Sequence, residues 1–168
     1  MVNAQLGERR FADGTAVVSA SVFGGLVFLS LFSLLLPMTD GGSASTVQRW
    51  IASAMFGESI LPPPTHFSAL AFFGSLLLSL LLALSVTTLS AFVFHRFGVV
   101  VGLFGGAASG VVHFAFLYLL WPLFSIWWGA LLTTTSAAIF AIAGSVCGIL
   151  YEVFEEERED VEVNRARS

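Results

Sequence analysis

The chain has 168 residues, 57% hydrophobic and only 11% charged, with a formal charge of -4. About a quarter of a soluble domain is charged, so this composition argues against a water-soluble globular domain, and no nucleic-acid partner is expected. The charge of -4 is local: after Tyr151, seven acids stand against three arginines.

The apolar residues come in long blocks, the pattern of helices whose solvent is lipid. The first block, Ala16 to Leu36, follows Arg9 and Arg10. A signal-peptide core is about 7–15 residues long. This block is longer and reads as a retained first span, which Pro37 helps to end. The other spans are expected over about 67–94, 99–120 and 124–151. The second and fourth exceed the roughly 20 residues a bilayer needs, so they must tilt or project. The expected fold is all-α: one integral membrane domain over 1–168, a transmembrane bundle of four helices with a short interfacial helix in the first outer loop.

That outer loop, Met38 to Thr65, has an order of its own. Asp40-Gly41-Gly42 reads as a turn. Ser45-Thr46-Val47-Gln48 fits a capping box with Ser45 as N-cap. A helix should follow to about Phe56 and stop at Gly57. Its apolar positions Val47, Trp50, Ile51, Ala54 and Met55 suit a helix lying flat on the membrane. Pro62-Pro63-Pro64 is a stiff extended lead into the second span, with Thr65 as its candidate cap.

Arginine placement sets the expected orientation. Arg9, Arg10, Arg96, Arg158, Arg165 and Arg167 fall on one side of four spans, and only Arg49 on the other. By the positive-inside rule the arginine-rich side is cytoplasmic. Trp50, Trp121, Trp127 and Trp128 all fall in or beside the outer loops, as an interfacial aromatic belt would. The expected location is a bacterial inner (plasma) membrane, multi-pass, with both termini cytoplasmic. The acidic tail 152–168 reads as a solvated extension of the fourth helix by a turn or two, ending in a mobile stretch from about Val161.

The segment Trp50 through Gly57 to Leu61-Pro62-Pro63-Pro64-Thr65-His66-Phe67, with the His95-Arg96 turn, resembles a group of uncharacterised bacterial four-span integral membrane proteins. Their pattern is a short outer helix ending in glycine, then Leu-Pro-Pro-Pro before the second span. The resemblance implies a layout and no chemistry. The sequence departs from that pattern at Phe73-Gly74-Ser75 and Val112-His113-Phe114, where the group often has a histidine and an aromatic-asparagine cluster.

Ionisable residues inside the membrane are the first place to look for function. Away from span ends only His113 qualifies. Paired histidine ligation of one iron within a protomer is excluded by depth, since His66 and His95 lie about 22 and 21 Å from His113 along the axis. His113 alone is the weak candidate for a pigment ligand, against the plainer reading of a hydrogen bond to Tyr118 or a fourth-span hydroxyl. No cofactor, metal site or catalytic residue is expected. Thr133-Thr134-Thr135-Ser136 suggests either a water path or helix-to-helix hydrogen bonds.

The clearest pattern is Gly98, Gly102, Gly106 and Gly110, four apart along the third span. Ala137, Ala141, Ser145 and Gly148 form a nearly aligned row on the fourth. Small residues let helix backbones approach. Packing of these two spans within one chain is favoured over a dimer seam. Cys147, the lone cysteine, is expected to be a small buried packing residue. Two function classes remain: a structural or accessory subunit that binds another integral membrane protein, and a small oligomeric transporter or channel. An enzyme is a distant third.

Overall fold

The computed structural model describes residues 13–61, 67–94, 97–120, 123 and 126–167, with 126–128 and 158–167 as backbone only. The described residues are all-helical. The elements are α1 (Gly14–Asp40), α2 (Ala44–Phe56), α3 (Ala69–Phe94), α4 (Val99–Leu120) and α5 (Thr134–Arg167), with 3-10 turns at Gly57–Ile60 and Ile126–Leu131. Four helices are long and apolar enough to cross a membrane: α1, α3, α4 and the Thr134–Glu157 part of α5.

Helix ends follow from local capping. Asp13 caps α1, its Oδ1 accepting the N–H of Thr15 at 2.7 Å and of Ala16 at 3.3 Å. The helix runs through Pro37 to Asp40 instead of ending there. Proline removes the one N–H that would reach the Ser33 carbonyl, a loss the flanking turns absorb. Asp40-Gly41-Gly42 then turns, with φ of 81° and 98° at the two glycines. The N-cap of α2 is Ser43, not Ser45: its Oγ accepts the Thr46 N–H at 3.3 Å. Ser68 Oγ accepts the Ala71 N–H at 3.3 Å in the first turn of α3. Thr65, Pro62-Pro63-Pro64, His66 and the His95-Arg96 pair lie outside the described residues.

The fourth spanning helix departs most from expectation. Residues 126–131 form a 3-10 segment, and α5 starts only at Thr134. Thr133 is the reason: its Oγ1 accepts the Ser136 N–H at 3.3 Å and its carbonyl accepts the Ala137 N–H at 3.1 Å. At the other end α5 stays helical to Arg167, past the point where a mobile tail was expected.

The spanning helices alternate in direction around the bundle in the order α1, α3, α4, α5. The α4–α5 pairing is the most extensive, and α3–α4 the loosest of the adjacent pairs. The main core lies toward the end that carries α2. Phe28 and Phe140 meet edge-on at 5.1 Å between ring centroids, and Phe32 meets Phe140 at 5.9 Å. Val47 and Ile51 of α2 and Leu131 seal this end. Close approach elsewhere depends on glycine. Gly24 of α1 receives the Cys147 side chain, and a Cβ on Gly25 would lie 2.8 Å from the Leu80 Cα of α3. Packing of this kind, not release of water, holds helices together in lipid.

Candidate functional site

Two adjoining features collect the residues of interest: the α4–α5 seam and the polar end into which it runs. A Cβ on Gly102 would lie 2.7 Å from the Gly148 carbonyl oxygen. Cβ atoms on Gly106 and Gly110 would collide with the carbonyl oxygens of Gly144 and Phe140, and those on Gly144 and Gly148 with the carbonyls of Gly106 and Gly102. The two helices therefore touch backbone to backbone over three successive turns, an arrangement only glycine permits.

The α5 side of the seam is the row Phe140, Gly144, Gly148, Glu152. It is offset by one residue from the row Ala137, Ala141, Ser145, and Gly148 is common to both readings. Ala137, Ala141 and Ser145 are half-buried beside it, with the Ser145 hydroxyl donating to the Ala141 carbonyl at 3.0 Å. Gly98 is not in the seam. It has φ +83° and nothing within 4 Å of its would-be Cβ, and it sits at the turn into α4, its carbonyl accepting the Gly102 N–H at 2.9 Å. Gly105 opens toward α3, with the Phe94 ring across it.

The polar end was not foreseen. Glu152 is 3% exposed and Glu155 is 9% exposed, although the tail had been expected to be solvated throughout. A Glu152 carboxylate oxygen accepts the Gly98 N–H at 3.1 Å. Its side chain crosses Gly102, where a Cβ would come within 2.8 Å of Glu152 Cγ. Tyr151, 1% exposed, lies beside Asp13, Glu152 and Glu155. The N-terminal ends of α1 and α4 thus converge on the same turn of α5, from neighbouring faces. The signal for this was in the spacing: Gly144, Gly148, Glu152 and Glu155 continue a single helical face.

His113 is half-buried, and its Nδ1–H donates to the Ser109 carbonyl of its own helix at 2.9 Å, not to Tyr118 or a fourth-span hydroxyl. Thr133, Thr135 and Ser136 are equally occupied. Thr133 caps α5, the Ser136 hydroxyl donates to the Leu131 carbonyl, and the Thr135 hydroxyl donates to Thr39 Oγ1 of α1 at 3.1 Å. These bonds assign the three to capping and helix linkage. Among the described residues no three of His, Cys, Asp or Glu are placed to hold a metal ion. A cleft between Ser79 and Leu82 of α3 and Leu117 of α4, floored by Phe32 and Phe140, has a void of about 20 Å³ and an almost wholly apolar lining. That is room for one water. Comparison with protein-family models, with curated proteins and with solved structures finds no match to this chain.

Proposed function

We propose that this protein is a structural or accessory subunit of a bacterial inner-membrane complex, of the Leu-Pro-Pro-Pro four-span type, which binds a partner integral membrane protein through helix faces. The observation that carries this reading is the α4–α5 seam. The chain consumes its own small-residue faces internally. What remains outside is large and apolar: Phe73 and Phe92 of α3, and Val100, Phe104 and Phe116 of α4, each more than half exposed. Such faces meet lipid or another apolar helix. Arginine bias supports cytoplasmic termini and an outer α2 resting at the interface.

A second reading is a small oligomeric transporter or channel. Buried hydroxyls on α3, those of Ser75, Ser79, Thr87 and Ser90, favour it. Against it, the Ser75 and Thr87 hydroxyls bond back to their own helix, and the cleft beside Ser79 is dry in character. Purification from native membranes in mild detergent separates the two. A stoichiometric partner, lost when Phe104 and Phe116 are both changed to Ala, supports the accessory reading. A homo-oligomer with a water-accessible interior supports the second and overturns the first.

A further inference from the structure

Arg49 carries a charge that no described residue neutralises. It sits on α2, at the end of the bundle opposite the Glu152 cluster, and is 7% exposed. An Nη1–H donates to the Ile60 carbonyl at 2.9 Å. Nε is enclosed and has no partner. Nη2 has no hydrogen-bond partner among the described residues and is not enclosed, so it is the nitrogen that reaches the surface. Among the described residues no carboxylate forms an ion pair with this guanidinium. Arginine does not shed its proton to relieve such a position, and a largely buried charge facing only a carbonyl dipole is costly. An anion at Nη2 offsets that cost.

The location says which anion. α2 packs across α1 and α3 where these apolar helices end, the level at which a bilayer places its headgroup phosphates. We propose that Arg49, through Nη2, binds the phosphate oxygen of a lipid headgroup, with the Ile60 carbonyl holding the guanidinium in position. This does not depend on the accessory-subunit reading.

The test uses the full chain in a neutral detergent, with thermal unfolding followed on addition of phosphatidylglycerol. Diacylglycerol with the same acyl chains supplies the tails without phosphate, and inorganic phosphate supplies the group without tails. The expected result is a rise of about 2–4 °C with phosphatidylglycerol, little with either control, and loss of the rise in Arg49→Gln. The rise in wild type should also shrink as salt increases, a readout that stands if Arg49→Gln does not fold. An equal rise with diacylglycerol, an equal rise in Arg49→Gln, or a rise indifferent to salt overturns the proposal. An equal rise with inorganic phosphate overturns the lipid as the source.

Discussion

Glu152 and Gly98, fifty-four positions apart, are joined by a carboxylate-to-N–H hydrogen bond of 3.1 Å. The bond ties α5 to the first turn of α4, where the helix dipole presents its positive end. Glu152→Ala leaves the half-buried Gly98 N–H without that acceptor, a loss of about 1–3 kcal/mol. Glu156, which is exposed, should change stability by less than about 0.5 kcal/mol when replaced by Ala. Thermal unfolding in detergent measures both. Equal effects would show that Glu152 is no more structural than the rest of the acidic run.

Gly106→Leu should destabilise the bundle far more than Leu103→Ala. Helix propensity alone favours leucine over glycine by roughly 0.8 kcal/mol, so any loss reflects packing. The Gly106 Cβ position coincides with the Gly144 carbonyl, and the helices must separate to admit it. Leu103 is half-buried and lies off the seam. Gly144→Leu should match Gly106→Leu, since the two glycines oppose one another. Because the seam is internal, the oligomer distribution in detergent should stay unchanged. A shift from oligomer to stable monomer would place the seam between chains instead.

Capping offers a finer test. Ser43→Ala should cost α2 about 0.5–2 kcal/mol, and Thr133→Ala should cost α5 a similar amount. Ser45→Ala should have a smaller effect, because the Ser43 oxygen accepts the Thr46 N–H. Amide hydrogen exchange at residues 44–47 and 134–137 reports the fraying directly. Faster exchange in Ser45→Ala than in Ser43→Ala would reverse the assignment.

Topology is open to thiol labelling. In a Cys147→Ser background, Ser43→Cys should react with an impermeant reagent in intact cells, and Asn164→Cys only after lysis. Labelling of both without lysis would end the model of four spans with cytoplasmic termini.

The positions of three spans were legible because a block of lipid-crossing length leaves a backbone little choice but helix. The start of α5 was not. Phe124 to Leu132 is as apolar as the helix that follows, so hydropathy continues smoothly across the 3-10 segment. The information lay in Thr133, whose side chain ends one element and begins the next, but a threonine in a polar cluster suggests pore lining just as readily. Pro37 misleads in the opposite direction, since a missing N–H removes one bond without stopping a helix that has three residues left. Along the seam, the four-residue glycine period on α4 was readable. Its partner row was misjudged by one position because Phe140 contributes its backbone and not a small side chain. Glu152 and Glu155 were hidden by their neighbours: charge composition describes the tail as a whole, whereas burial selects one side of it.

The length of α5 has a mechanical consequence. Its helix spans 34 residues, about 51 Å at roughly 1.5 Å per residue, against a hydrocarbon layer of about 30 Å. The seam grips residues 140–152, and the helical backbone continues through residues 158–167, about 15 Å more. A rigid rod turns a small angle at its clamp into a displacement that grows with distance along it. A tilt of α5 at the glycines would therefore be read more sensitively by a probe near residue 164 than by one in the core.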